Sequence, residues 1–386
     1  MPATDPTSAR AEGLGTDRLG RRRQQFERFA RTECAHEPVY VALCQLLAHR
    51  PDALAWLDAA EPMQQRPNLL LAALHDRVLA GAGGALAAYF PSAGGERPVD
   101  AGVAAALDEL LDQQQGALQS AIAHNATQTN EIGRCAVLWP ALGEIARITR
   151  RARLALLDFG CSAGLNLGVD GYTYRHGAVS MGAAAGPDVP LVTCHPVDGI
   201  PPPSPGDDLH IAFRAGLDLN PVDVRDPAAR RWLRACLWPH DLARAQRFDQ
   251  AAAIVAHHDW PLMRSTEGVD AIERWLDTLP ATGAGAALPV VFNSWVLAYF
   301  DADALATHVA QMRGLVQRRG VAWLSAEGPG LQLGSPRAPG PGDAAVSAAE
   351  LANGTLWWLS LTGDGTPQTR LLARSHAHGR WVKWVA

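Results

Sequence analysis

Residues 154–167, with the sequence LALLDFGCSAGLNL, constrain the fold of this chain more than any other segment. A continuous aliphatic run is typical of a strand that is buried on both faces, as in a parallel sheet covered by helices. Asp158 ends that run, and Gly160 and Gly164 then flank Ser162. Glycine permits a tight bend and a close approach of the backbone to a neighbouring group. The segment therefore predicts a buried parallel strand, a glycine-containing bend and the start of a helix.

The bend has the composition of a small-molecule site. The first amides of a helix have no partner within the helix, so a strand that leads into a helix N-terminus can present them to a ligand. Only two glycines occur, four residues apart, and the three-glycine pattern of dinucleotide sites is absent. We therefore expect a cofactor without a pyrophosphate, such as S-adenosylmethionine, at a site formed by Asp158, Gly160, Ser162, Gly164 and Asn166.

Two other interpretations of the segment stay open. Gly160, Ser162 and Gly164 also spell Gly-x-Ser-x-Gly, the signature of a serine hydrolase with its nucleophile on a strained turn. That interpretation requires a histidine near the C-terminus, which His376 or His378 could supply. Against it, the strand before Gly160 is predicted to be the first of its sheet, and Asp158 has no role in such a turn. The third interpretation is structural, since two glycines allow tight packing of a strand against a helix.

The length of the chain, 386 residues, favours two domains. Residues 1–23 are polar and aperiodic, and we predict a disordered tail there. Residues 24–150 place apolar residues at three- and four-residue spacing, which predicts an all-helical module. In residues 151–386, short apolar runs alternate with helical segments, as in a mainly parallel sheet covered by helices.

We expect residues 151–386 to form a Rossmann-like, doubly wound α/β domain with a mainly parallel sheet of seven strands. Little sequence separates the last two strands, which predicts an antiparallel C-terminal hairpin on the sheet edge. Residues 172–208 are rich in proline and glycine and are expected to be a long insertion, and residues 328–342 a loop. The predicted strands cover residues 154–159, 210–214, 262–265, 290–293, 321–325, 356–361 and 371–375.

Three further groups of polar residues follow predicted strands. Asp218 and Asn220 follow the second strand, where a carboxylate is placed to accept hydrogen bonds from a ribose diol. A turn that bonds to its own backbone is the alternative for this pair. Asp270 follows the third strand and could accept from an adenine amine, but an acid is also favoured at a helix N-terminus. Asn293 and Ser294 end the fourth strand and are expected to point into the ligand crevice.

Composition and charge exclude several classes of partner. Hydrophobic residues make up 48% of the chain and charged residues 19%, as in ordinary globular proteins. The net charge of −5 offers no general attraction to nucleic acid or anionic membranes. No signal peptide or transmembrane run is evident, so we expect a cytoplasmic protein. The six cysteines lie far apart, and His257 and His258 would diverge on a helix, so neither disulfides nor a metal site is predicted.

Several segments resemble the domain of unknown function 2332 family of bacterial proteins, and the similarity covers most of the chain from about Gln24. They are residues 129–134, the runs LLDFGCSAGLNL and GLDLNPVDV, residues 232–239 and VFNSWVLAYF. The C-terminal part resembles the class I S-adenosylmethionine-dependent methyltransferases. That resemblance implies that the bend from Gly160 to Gly164 faces the methionine part of the cofactor, Asp218 the ribose and Asp270 the adenine. The Asn-Pro-Pro-Tyr motif of common methyltransferases is absent, and no catalytic residue is assigned.

Asn130, Glu131 and Arg134 lie just before the first strand, near a predicted buried joint where polar groups need partners. We expect them to close the cofactor pocket from the side of the helical module, and exposure to water at a helix start is the alternative. The resulting hypothesis is methyl transfer from S-adenosylmethionine to a small-molecule acceptor. A serine hydrolase with Ser162 as nucleophile and a non-catalytic ligand-binding protein of the same fold are the alternatives. The acceptor, the general base and the oligomeric state are not predicted.

Overall fold

The structure is a computed structural model that describes residues 6–280, 283, 285–334, 345–363 and 365–386. The chain folds into two compact units. One comprises the residues up to Thr129 together with Asp226–Gln246, and the other comprises Asn130–Arg225 together with Arg247–Ala386. The sequence analysis places the domain boundary after residue 150, whereas this division assigns residues 130–150 to the second unit and residues 226–246 to the first.

Twelve α-helices and eleven β-strands occur in the described residues. The helices are α1 (Pro6–Arg31), α2 (Pro38–Leu47), α3 (Pro51–Ala55), α4 (Pro67–Leu79), α5 (Gly102–Gln113), α6 (Gln115–His124), α7 (Cys135–Thr149), α8 (Pro227–Ala235), α9 (Leu242–Ala256), α10 (Val269–Asp277), α11 (Ala302–Arg319) and α12 (Ala348–Ala352). The strands are β1 (Arg153–Phe159), β2 (Thr173–His176), β3 (Val179–Gly182), β4 (Leu191–Pro196), β5 (His210–Asp218), β6 (Leu262–Arg264), β7 (Leu288–Ser294), β8 (Ala322–Glu327), β9 (Thr355–Gly363), β10 (Thr366–Ser375) and β11 (Trp381–Trp384).

The first unit is built from helices. Helices α2, α3, α4 and α8 of this unit each begin at a proline, whose fixed φ suits the first helical position. Helix α4 is apolar on nearly all sides and buries ten of its residues, as expected of a central helix. Within the described residues, no helix of the chain is long and apolar enough to cross a membrane.

Helix α1 covers residues 6–23, where the sequence analysis predicts a disordered tail; residues 1–5 of that tail lie outside the described residues. Arg22 shows why composition alone is misleading here. Its side chain is buried, donates to Leu54 O at 2.9 Å and forms an ion pair with Asp58 at 2.6 Å. The charged residues that make this segment look disordered therefore include one that anchors the helix.

All eleven strands lie in the second unit and form one sheet, in the order β3-β2-β4-β11-β10-β9-β8-β7-β1-β5-β6. The five strands from β8 to β6 are parallel to one another. Strand β9 is antiparallel to β8 and β10, and β11 is antiparallel to β10. The predicted α/β fold with a large, mainly parallel sheet is confirmed, whereas the predicted number of seven strands is wrong.

The strands that the sequence analysis missed are short. Strands β2, β3 and β4 lie within residues 172–208, which proline and glycine made look like an insertion. Strand β4 alternates buried and exposed residues, so it has no continuous apolar run. The predicted antiparallel pair β9 and β10 is present, but it is not at an edge, because β11 and β4 continue the sheet beyond it. Of the predicted loop 328–342, residues 335–342 lie outside the described residues.

Strand direction decides which loops meet. Strand β10 runs in the same direction as β8, because both are antiparallel to β9, which lies between them. The C-terminal ends of β1, β5, β7, β8 and β10 therefore lie along one side of the sheet, here called the carboxyl edge. Ala155, Leu157 and Phe159 of β1 pack in the apolar cluster with α10 and α11. Side chains alternate along a strand, so Asp158 projects from the opposite face of β1.

Candidate functional site

The backbone amides of the bend after β1 all donate hydrogen bonds, most of them to β5 and to Asn130. After the bend, the chain forms a 3₁₀ segment, Leu165–Gly171, and not an α-helix. The predicted row of bare amides at a helix N-terminus is therefore wrong, because every amide of the bend has an acceptor. The bonds run from Gly160 N and Cys161 N to Leu217 O (2.7 and 3.3 Å), from Ser162 N to Asp218 Oδ2 (2.8 Å), from Ala163 N to Asn130 Oδ1 (3.4 Å) and from Gly164 N to Cys161 O (2.8 Å).

The two glycines of the bend allow both its backbone conformation and its packing. Gly160 has φ +82° and Gly164 has φ +69°, in the left-handed region that L side chains rarely adopt. A Cβ at Gly160 would lie 2.7 Å from Val296 Cγ2, and a Cβ at Gly164 would lie 2.9 Å from Leu262 Cδ2. The structural interpretation of these glycines therefore accounts for both of them.

Asp218, at the end of β5, holds the bend of the neighbouring strand. Its Oδ2 accepts from Ser162 N and its Oδ1 accepts from Asn220 N, both at 2.8 Å. The bond from Asn220 N is the turn considered as the alternative for this pair, in which a side chain bonds to the nearby backbone. The bond from Ser162 N is an additional contact, with the bend that follows β1. Asp218 is half-buried, and the adjacent Leu219 is 64% exposed. A carboxylate and the glycine bend thus come together, as expected for an acid at the end of the strand beside β1.

Asp158 is buried beneath the bend. Its Oδ2 accepts from Asn166 Nδ2 at 3.1 Å. Burial raises the pKa of Asp158 to about 7, against the opposing effect of the Asn166 hydrogen bond and with a smaller raising effect from Asp218. A carboxyl group that titrates near neutrality therefore lies at the C-terminal end of β1.

Asn130 and Glu131 lie at the carboxyl edge and are buried. Asn130 Nδ2 donates to Ser162 Oγ at 3.0 Å. Glu131 Oε1 accepts from Gly133 N at 2.8 Å, and its Oε2 lies 3.0 Å from Nδ1 of His378. The interpretation of this segment as a helix start exposed to water is therefore wrong. The segment also belongs to the second unit and not to the helical one.

Arg134 joins two loops of the carboxyl edge. Its Nε donates to Ala377 O at 2.9 Å, in the turn after β10, and its Nη1 donates to Ser294 Oγ at 3.2 Å, at the end of β7. Arg134 and Ser294 are both buried. Residues 130–134 therefore contact the loops that follow β1, β7 and β10.

Asn293 and Glu327 form the deepest part of the edge. Asn293 Nδ2 donates to Glu327 Oε1 at 2.8 Å, and Asn293 Oδ1 accepts from Trp323 Nε1 at 2.8 Å. Glu327 Oε1 also accepts from the amides of Val296 and Leu297. Burial raises the pKa of Glu327, and its Oε2 has no hydrogen-bond partner among the described residues. Asn293 is therefore engaged by its neighbours, and Glu327 is a site residue that the sequence analysis missed.

Asp270 is the second residue of α10 and is exposed. No hydrogen bond from the described residues reaches its carboxylate, and the first turn of a helix favours an acid there. The helix-start alternative accounts for this residue. Within the described residues, no group of three histidine, cysteine or acidic side chains is placed to hold a metal ion.

Two cavities can be placed in the fold. One of about 500 Å³ lies in the first unit, lined by residues of α4, α6 and α8. The other, of about 450 Å³, is lined by the end of α7 and by residues 203–209, which precede β1 and β5. The second cavity therefore lies at the N-terminal ends of these strands, opposite the carboxyl edge.

Fold and site define an α/β protein whose carboxyl edge carries a hydrogen-bonded network of acids, amides and an arginine, most of them buried, and a half-buried histidine. The chain belongs to the family described as an uncharacterized protein conserved in bacteria (DUF2332), which matches residues 23–384. The predicted membership is thereby confirmed, and the likeness to methyltransferases stays a prediction. A comparison with curated proteins and one with solved structures gave no match.

Proposed function

We propose that the chain is an S-adenosylmethionine-dependent methyltransferase-like protein that acts on a small-molecule acceptor. One observation carries the proposal: Asp218, at the end of the strand beside β1, binds the glycine bend at 2.8 Å. The strand order β6-β5-β1-β7-β8 supports it, because a Rossmann-like sheet has the order 3-2-1-4-5 in its parallel part. Ligands of such sheets bind outside the C-terminal ends of the strands, where the order reverses.

The residues present fit the nucleoside part of this cofactor. Each carboxylate oxygen can accept more than one hydrogen bond, so the half-buried Asp218 can accept from ribose hydroxyls while it holds Ser162 and Asn220. The exposed Leu219 offers an apolar surface beside it. We assign no amide of the bend to the cofactor, because all five amides have acceptors. When bound, the cofactor supplies a methyl group on an already activated sulfonium.

Calorimetric titration of the purified chain with S-adenosylmethionine, S-adenosylhomocysteine, adenosine and a dinucleotide tests this proposal. Hydrogen bonds to a charged group are worth roughly 1.5–3 kcal/mol, so Asp218→Asn should weaken binding of the adenosyl ligands by about 10-fold to 100-fold. Asp223→Asn is the matched control, because Asp223 also accepts the amide two residues on, from Arg225 at 2.9 Å. Failure of the unaltered chain to bind, or equal losses in both variants, would refute the proposal.

The serine hydrolase is not the function that the contacts favour. Ser162 has φ +50°, as a strained turn requires, but the donor described for its hydroxyl is an amide, Asn130 Nδ2. Labelling by a fluorophosphonate probe would identify a reactive serine at this position. A non-catalytic binding protein is distinguished by binding without formation of S-adenosylhomocysteine.

A further inference from the structure

We propose that His378 is the proton-accepting catalytic residue of this site and that Glu131 positions it. The inference rests on the proposed function, and it identifies the general base that the sequence leaves unassigned. It implies that the methyl acceptor is a protic nucleophile, with a hydroxyl, thiol or amine group that loses its proton during transfer.

The first observation is the pairing of a buried acid with a more exposed histidine. The Glu131 side chain is 3% exposed and that of His378 is 36% exposed, and Glu131 Oε2 lies 3.0 Å from His378 Nδ1. An ionised carboxylate can only accept hydrogen bonds, so Nδ1 carries the proton and donates it. His378 Nε2 is then the ring nitrogen with a lone pair. No described residue forms a hydrogen bond with it, so it is available to a ligand.

The second observation concerns residues 376–379, the turn between β10 and β11, here called the histidine turn. Hydrogen bonds and close backbone packing fix its position. His378 N donates to His376 Nδ1 at 2.9 Å, and Ala377 O accepts from Arg134 Nε at 2.9 Å. A Cβ at Gly379 would lie 1.9 Å from Gly133 O, so the two backbones pack directly against each other. Burial lowers the pKa of His376 to about 4, which leaves its ring neutral beside His378. This rigidity is what a base needs if its lone pair is to meet a reacting group in one geometry.

The third observation is the location of the pair. The turn follows β10, which ends at the carboxyl edge together with β1, β5 and β7. Asn130, next to Glu131 in the chain, contacts the bend at Ser162, and Arg134 contacts Ser294 at the end of β7. The same five-residue segment thus contacts the turn of His378, the bend that Asp218 holds and the end of β7.

The reaction step follows from this geometry. His378 Nε2 takes the proton from the acceptor's O–H, S–H or N–H group as that atom's lone pair forms a bond to the methyl carbon. The electrons of the sulfur–methyl bond return to sulfur, and the positive charge passes from the sulfonium to the imidazolium. Glu131 stabilises that imidazolium through Nδ1, as carboxylates do for catalytic histidines.

Availability of Nε2 can be tested on the protein alone. Diethyl pyrocarbonate acylates an imidazole nitrogen that has a free lone pair, and peptide mapping by mass spectrometry locates the product. We expect modification at His378 and none at His75, which is buried with both ring nitrogens hydrogen-bonded. A His378 that is as unreactive as His75 would overturn the assignment.

The catalytic role is tested with S-adenosylmethionine and a panel of small alcohols, phenols, thiols and amines, with release of S-adenosylhomocysteine as the readout. His378→Asn should lower turnover about 100-fold or more, as expected for loss of a general base. His257→Gln, an exposed histidine of the same unit, should leave turnover unchanged. Glu131→Gln keeps an acceptor for Nδ1 but removes the charge, so the pH at which turnover reaches half its plateau should fall.

Binding of S-adenosylhomocysteine to each variant separates the two proposals. If the unaltered chain does not bind it, the proposed function fails, and the assignment of His378 fails with it. If the chain binds it but turns over no protic acceptor, or if His378→Asn is as fast as the unaltered chain, the inference alone fails. A fluorophosphonate probe that labels Ser162 in the unaltered chain but not in His378→Asn would assign His378 to hydrolysis. That result would also overturn the inference that His378 is the base for methyl transfer.

Discussion

Asp158 should make the stability of the second unit depend on pH, and Asp158→Asn should remove that dependence. Burial raises the pKa of this carboxyl from 3.8 to about 7 in the folded chain. One pKa unit equals about 1.4 kcal/mol, so the shift is worth about 4 kcal/mol. Because the folded value is the higher one, this contribution is fully present below the unfolded pKa of 3.8 and is lost as the pH rises through about 7.

The expected result is a difference between two stability curves. Relative to Asp158→Asn, the free energy of unfolding of the unaltered chain should fall by about 4 kcal/mol between pH 4 and pH 8 and stay level above that pH. The asparagine can still accept from Asn166, so the variant keeps the hydrogen bond seen at 3.1 Å. Groups common to both proteins cancel in this difference.

Urea unfolding followed by tryptophan fluorescence at one-unit pH steps measures both curves. Most of the twelve tryptophans lie in the second unit, so the signal reports on the sheet that contains Asp158. Asp303→Asn, at an exposed position of α11, controls for loss of a charge elsewhere. A difference between the unaltered chain and Asp158→Asn that is constant from pH 4 to pH 8 would show that Asp158 ionises normally and would contradict this prediction.

Two further predictions concern packing at the same edge. Gly160→Ala should destabilise more than Gly320→Ala, because both glycines have positive φ, worth about 1–2 kcal/mol, but only Gly160 would bring its Cβ into contact, with Val296. Adding Val296→Ala should recover the steric part, and equal losses at both glycines in urea unfolding would contradict the packing described. Glu327→Ala should cost about 3 kcal/mol or more, because three donors lose their acceptor. Glu327→Gln, which retains an oxygen, should cost less, and the reverse order would contradict this assignment.

The sequence predicts the parts of the sheet whose strands are continuous apolar runs. Strand β1 reads as four consecutive aliphatic residues and was found within one residue of its ends, and the antiparallel pair β9 and β10 was also found. Strands β2 and β4 were missed because they are short and pair with each other across a proline-rich stretch. Residues 165–171 resemble a helix start in composition, but the amides of the bend before them bond mainly to β5 and Asn130, and the chain forms a 3₁₀ segment.

Some contacts of the candidate site can likewise be predicted from the sequence, and others cannot. The approach of Asp218 to the bend follows from the rule that neighbouring parallel strands end at the same edge, which a sequence can indicate. The pair of Glu131 and His378 does not follow from any spacing, since 247 positions separate the two residues. Glu327 was missed because the predicted strand stopped at residue 325, two residues before the acid.

Because β9 is antiparallel to both β8 and β10, the turn after β10 lies at the carboxyl edge, where segment 130–134 contacts it. This contact affects the order in which the site forms during synthesis. Segment 130–134 emerges from the ribosome before any strand of the sheet, while the turn that it contacts follows β10, the tenth of the eleven strands in the described residues. Glu131 therefore pairs with His378 only after ten of these strands have been synthesised. A chain that stopped at residue 376 or 377 would contain ten of the strands, but its buried Glu131 would lack the imidazole of His378.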